Sequence, residues 1–294
     1  MALTLDSETV PDPNMRLDSG FSCNSVVWIA SLPKAELGPS RRMTQDVSAL
    51  ADRLGFSFSR IDVRHRSELR AVFQDLYRRA EKEGLRPILV LDAHGSEKDG
   101  LVLSEPGEAM AWTDLGAFLR TINVSTRNNL CVLGAACFSL RAIASSTLNQ
   151  AVPFFVLLAP EQEVNTGFLE ENIGAFFDCL FTRGSLDDAH TSHLSPTFKY
   201  FHCEKMLFIA VARYILSACK GKALAERRER LMTEVFMQGM DNTRANRKSV
   251  RAKLKAGLKP DQALLDRYVR TFLIGHSCSF TMDQLLAFLS SDQA

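Results

Sequence analysis

The stretch PILVLDAHGSEKDGLVL (residues 87–103) decides the fold. Four aliphatic residues, Ile88 to Leu91, follow a proline, and the chain then turns polar through Asp92, His94 and Gly95. A short unbroken apolar run closed by a turn-former reads as a strand buried on both faces. Such a strand ends in a histidine, followed at once by glycine and a polar loop. Forty-three residues on (137 − 94) the chain does the same with cysteine, in NLCVLGAACFS (129–139).

Outward from these two strands a pattern alternates. Strand-like segments at 25–32 (SVVWIASL), 56–63 (FSFSRIDV) and 152–159 (VPFFVLLA) combine β-branched and aromatic residues. Between them, residues 43–55, 66–84, 113–122 and 167–184 carry apolar residues at helical spacing, and a further helix is expected from Arg141. Strands alternating with helices predict an α/β fold, a mainly parallel sheet flanked by helices. In such sheets sites lie beyond the carboxyl ends of the strands. His94 and Cys137 both fall there.

From about Ser185 the alternation stops, and segments 203–220, 223–240, 261–274 and 281–290 read as helices. The expected organisation is therefore a disordered tail over 1–22, an α/β domain over 23–190, and a helical C-terminal region over 191–294 that regulates or binds a partner.

Hydrophobic residues make up 46% of the 294 and charged ones 23%, an ordinary globular composition. A net charge of +1 gives the whole chain no strong pull toward nucleic acid or an anionic membrane. The N-terminus lacks the basic and apolar regions of a signal peptide. Seven cysteines, an odd number without regular spacing, read as reduced thiols in a cytoplasmic protein. The longest apolar run (206–216) is interrupted by Arg213 and falls short of the roughly 20 residues needed to cross a bilayer.

A cysteine and a histidine at equivalent strand ends fit a nucleophile and its base. The thiolate is the reactive form, and a neighbouring imidazole or a helix N-terminus favours it. Cys137 is expected to meet both conditions, with a helix following it and His94 beside it. His94 would also protonate the leaving amine. The backbone N–H groups of Gly95 and Cys137 are the candidate oxyanion hole. Gly95 suits that task because no side chain blocks the substrate.

The region 25–190 resembles the CHAT branch of the caspase-like (clan CD) cysteine peptidases, a branch that includes caspase-like effectors of bacterial defence. The likeness lies in DAHGSEKDGLVL with its His-Gly and short following strand, in AWTDLGAFLRTIN, in NLCVLGAACFS, and in PFFVLLAPEQEV with the helix after it. The caspase signature Q-A-C-x-G is only partly present: Ala136 and Cys137 match, whereas Ala135 replaces Gln and Ser139 replaces Gly. The resemblance implies a caspase-like fold, Cys137 as nucleophile, His94 as base, and Gly95 with the Cys137 amide as oxyanion hole. It implies no cofactor. It also implies a protein substrate (a toxin or pore-forming partner, or the enzyme itself) and an activator protein. Metacaspases carry an acid two residues before the cysteine, where this chain has Ala135. The acids left for the pocket that receives the residue before the cut are Glu161 and Glu163. Asp92, two before His94 and so on its face of the strand, is a third, and could orient the imidazole.

His190, His193, His202 and Cys203 are zinc-ligand types, but their spacing is no familiar zinc pattern and no second cysteine pair accompanies them, so no metal site is expected. The run NTRANRKSVRAKLKAGLK (242–259) has seven basic residues and no acidic one. It reads as a solvated helix face that could serve a partner; without interleaved aromatics it argues little for nucleic acid. No Gly-rich phosphate loop occurs. Two functions follow as expectations: a cysteine endopeptidase acting in antiviral defence, or a non-catalytic caspase-like scaffold or sensor binding partners through the basic region.

Overall fold

The structure, a computed structural model, describes residues 20–144, 146–219 and 221–291. Most of the tail expected over 1–22 lies outside the described residues. At its end, Ser22 is already tied down, its N–H donating to Asn129 Oδ1 at 2.9 Å and its carbonyl accepting from Asn129 Nδ2 at 2.7 Å.

Eight strands form one mixed sheet. They are β1 (Ser25–Ser31), β2 (Ser57–Asp62), β3 (Pro87–Ser96), β4 (Gly100–Val102), β5 (Ala109–Met110), β6 (Cys131–Ala135), β7 (Val156–Pro160) and β8 (Phe198–His202). The main path runs β2-β1-β3-β6-β7-β8, parallel from β2 through β7, with β8 antiparallel at the edge. Every residue of β1, β6 and β7 is buried, as are the first seven of β3. This explains their unbroken apolar runs: both faces are covered.

The helices covering those faces are α1 (Leu37–Leu54), α2 (Arg66–Lys82), α3 (Trp112–Ser125) and α4 (Thr166–Arg183). The chain steps from β1 to β2 in one direction along the sheet, then back across β1 to β3. Right-handed crossovers therefore put α1 and α2 on opposite faces. α1 meets α4 through Arg42–Glu170 (2.6 Å) and Arg53–Asp178 (3.2 Å). α2 meets α3 through the stacked rings of Phe73 and Phe118 and through Arg66–Asp114 (2.5 Å). The fold is thus the expected helix-flanked, mainly parallel α/β sheet, an architecture consistent with a caspase-like fold.

The remaining helices are α5 (Leu186–Ala189), α6 (Cys203–Ala218), α7 (Gly221–Met237), α8 (Arg244–Gly257), α9 (Gln262–Phe272) and α10 (Met282–Ser291). Here one expectation is corrected. The region after 190 is not wholly helical, because β8 adds a strand to the sheet, pairing Phe198 with Pro160 through to His202 with Val156. A boundary at 190 would cut that sheet. Nor does a separate core follow: Leu265, Phe272, Leu285 and Leu289 belong to the same apolar cluster as the strands. The backbone stitches the parts together, with Val152 N–H donating to the Phe272 carbonyl at 2.9 Å. Glu204 does the same from a buried position on α6, accepting from Ser279 N–H (2.8 Å) and Oγ (2.5 Å).

α7 and α8 differ from the rest. They pair with each other, and only Met232 on α7 and Val250 on α8 are buried. All seven basic residues of 242–259 are exposed, as the solvated-face reading expects. Residues 221–259 hold eleven Lys and Arg against four Asp and Glu, a surplus of seven in a chain whose net charge is +1; the remainder therefore carries −6. Among the described residues no helix is long and apolar enough to cross a membrane.

Candidate functional site

Strand register places the two predicted residues just past one ladder. Asp92 on β3 faces Ala135 on the adjacent parallel β6, the last pair of that ladder, and His94 and Cys137 each follow two residues further on. Neighbouring strands lie about 4.8 Å apart. Beyond Ala93 the β3 strand leaves the parallel ladder but does not end. It pairs antiparallel with β4, His94 opposite Val102 and Gly95 opposite Leu101. His94 is therefore carried on a strand and not on a loop. The Trp112 indole N–H donates to the Ser96 carbonyl at 2.9 Å and anchors this hairpin.

Cys137 is presented by a tight turn. Phe138, immediately after it, has φ +60°, a left-handed conformation costly for an aromatic residue. The turn is held by Phe138 N–H to the Gln162 carbonyl (3.2 Å), Ser139 N–H to the Ala136 carbonyl (3.2 Å) and Ser139 Oγ to the Gly134 carbonyl (2.9 Å). Arg141 pairs with Glu97, linking this turn to the β3–β4 hairpin. The helix expected here is only a 3-10 turn over Ser139–Ile143. Five residues build no substantial dipole, so that support for the thiolate falls away. The sulfur instead accepts from Val164 N–H at 3.3 Å.

Gly95 lies against this turn. A Cβ on it would sit 1.8 Å from the Cys137 carbonyl oxygen and 2.8 Å from its carbon. The glycine is required by the backbone of the cysteine itself, beyond the substrate access argued from sequence.

His94 and Cys137 line a cleft of about 300 Å³ at the carboxyl edge of the sheet. Leu32, Pro39, Met43, Val164 and Leu169 make its walls largely apolar. Asp92 lines it too, 3% exposed. Its Oδ2 accepts from Trp28 Nε1 (2.9 Å) and Ser40 Oγ (2.5 Å). Asp92 is thus at the pocket, but its carboxylate is engaged by β1 and α1 and not by His94, which meets a different acid. The orienting role expected of it is corrected: His94 Nε2 meets Glu36 Oε2 at 2.7 Å. Glu161 and Glu163 are likewise corrected. Both are exposed and neither lines the cleft, because the loop after β7 turns its backbone, at Val164, toward Cys137.

Burial raises the Asp92 carboxyl above its usual range, with the Ser40 and Trp28 donors opposing the shift in part. An acid raised on folding binds its proton more tightly in the folded state. It therefore adds stability below its unfolded value, about 3.9, and loses that contribution as pH rises through the folded one. Asp92→Asn keeps an acceptor for both donors and removes the titration. Urea unfolding should show the wild type losing ground to Asp92→Asn between pH 4 and pH 7; a constant difference would refute the raised carboxyl.

All seven cysteines are free. Burial pushes up the thiols of Cys23, Cys131, Cys203 and Cys219, and that of Cys278 to about 12. Cys179 is buried in the core. Three of the four zinc-type residues have structural partners: His190 Nε2 meets the Phe198 carbonyl at 2.7 Å, His202 Nδ1 accepts from Glu204 N–H at 3.2 Å, and Cys203 Sγ accepts from Asn128 Nδ2 at 3.5 Å. Among the described residues, no three His, Cys, Asp or Glu converge as a metal site.

No protein-family model matches the chain, and no curated protein matches it.

Proposed function

We propose that the protein is a cysteine endopeptidase of caspase-like type, working through Cys137 and His94. The observation that carries this reading is the cleft the two residues share beyond paired Asp92 and Ala135, with the Gly95 backbone pressed against that of Cys137. Cys137 loses its proton to His94, and the thiolate attacks the scissile carbonyl carbon. The Gly95 and Cys137 amides receive the developing oxyanion. His94 passes the proton to the leaving amine, and the C–N bond breaks to leave a thioester. Water, deprotonated by the same imidazole, then attacks the thioester; the C–S bond breaks and the acid product leaves.

The apolar cleft with Asp92 in its wall receives the side chain before the cut. A protein substrate, whether a toxin, a pore-former or the enzyme itself, follows from the family resemblance, as do an activator and a role in defence; the cytoplasmic setting rests on the reading of the cysteines as reduced thiols. The scaffold alternative is less well supported, because a pure scaffold has no need of a histidine and a cysteine lining one cleft.

The test is labelling with a peptidyl acyloxymethyl ketone, followed by mapping of the modified residue. Cys137 should be the one modified, since burial disfavours the thiolates of Cys23, Cys131, Cys203, Cys219 and Cys278 and encloses Cys179 in the core. Equal, slow modification of several cysteines would sink the peptidase reading.

A further inference from the structure

We propose that Glu36 completes the site as the carboxylate that positions His94, making the dyad a Glu36–His94–Cys137 triad. The inference rests on the peptidase reading above. Three adjacent strands, β1, β3 and β6, each contribute one group at the same edge. Ser31, the end of β1, lies opposite Ala93, the residue before His94, and Asp92 lies opposite Ala135. The turn after β1 brings Glu36 back over the cleft, its N–H held by the Pro33 carbonyl at 2.9 Å.

Glu36 stands at the N-cap of α1, where a side chain ordinarily accepts from the helix backbone, yet it makes no such bond. Its carboxylate goes to His94 Nε2 instead. A carboxylate is an acceptor, so a neutral imidazole meets it with the proton on Nε2. Nδ1 is then left without one, ready to take the Cys137 proton. After that transfer the imidazolium still donates from Nε2 to Glu36, and the negative charge there stabilises it. The proton goes from sulfur to Nδ1 and on to the leaving amine; Glu36 exchanges none.

The other titratable groups around His94 do not take this role. Asp92, on the same strand, is engaged by Trp28 and Ser40. Glu97, further along it, pairs with Arg141 from the turn after Cys137. α1 contributes Ser40 and Met43 to the cleft, and β4 sets Val102 opposite the histidine. His94 and Glu36 are each about half exposed (52% and 50%), so solvent weakens the pair until a substrate covers the cleft.

The experiment compares wild type, Glu36→Ala, Glu36→Gln and His94→Ala in the full chain. It reads the rate of Cys137 alkylation by iodoacetamide at pH 6, and, at pH 9 where an imidazole is neutral, the ¹⁵N shifts of the His94 ring, which report the protonated nitrogen. In Glu36→Ala the rate should fall about fivefold and the Nε2–H form should give way to a mixture. Glu36→Gln keeps an acceptor but not the charge; it should retain the Nε2–H form and fall between the two in rate. An unchanged rate, a faster one, or a slower one with Nε2 still protonated in Glu36→Ala overturns the proposal. If His94→Ala reacts as fast as wild type, the peptidase reading fails too; if only the Glu36 variants match wild type, the failure is confined to Glu36.

Discussion

His94→Ala should slow hydrolysis of a peptide substrate by a factor on the order of 10² to 10⁴, the usual worth of a positioned base. Alkylation of Cys137 should fall less. An ordinary thiol, with a pKa near 8.5, is only about 0.3% thiolate at pH 6. A base that supplies the thiolate therefore raises its population by up to about 300-fold at that pH. Part of the gain is lost, because nucleophilicity declines as the thiolate becomes a weaker base. The net loss expected in His94→Ala is about tenfold at pH 6, shrinking as pH rises and solvent removes the proton unaided. Equal alkylation of the two proteins across the range would mean that the imidazole and the sulfur do not exchange a proton.

Gly95→Ala should be as damaging for a different reason. The new Cβ would fall 1.8 Å from a backbone oxygen of Cys137, and a backbone cannot step aside as a flexible side chain can. Either the β3–β4 hairpin or the cysteine turn must move. Overpacking of this kind typically costs about 1–3 kcal/mol. Activity should suffer more than stability, since displacements near 1 Å at reacting atoms can cost about 10²-fold. The expected result is a protein that still unfolds cooperatively in urea, at a lower midpoint, with Cys137 poorly labelled by the ketone probe. Full labelling with unchanged stability would show that the close approach is relieved at no cost.

The central strands and two residues that line the cleft are legible in the sequence, and the reasons are local. β1, β3, β6 and β7 are buried on both faces, so their composition alone betrays them. His94 and Cys137 stand out because polar residues interrupt those runs at matching ends. What was hidden depended on register or on tertiary context. Glu36 lies in a turn where acids are commonplace; an acid just after a strand ending at the same edge is a weak signal, and only pairing of β1 with β3 brings it to the histidine. Glu161 and Glu163 looked closer in sequence, but the loop turned its backbone inward. β8 was missed because FKYFH is short and precedes a long helix, and its partner, β7, is antiparallel to it. The helix expected after Cys137 shrank to a 3-10 turn. α1 begins at Leu37, earlier than the periodicity implied, because Pro39 falls in its first turn, where a missing N–H costs nothing.

The α7–α8 pair alters how the whole molecule is felt from a distance. A net charge of +1 describes almost no monopole, yet a surplus of seven on the α7–α8 pair stands against −3 on the other described residues, an uneven spread of charge. Such a body drifts little in a uniform potential but turns in a graded one. It meets an anionic surface hairpin first and a cationic one the other way round. At physiological ionic strength the field fades over about 8 Å, so this torque selects orientation only in the last nanometre of an approach.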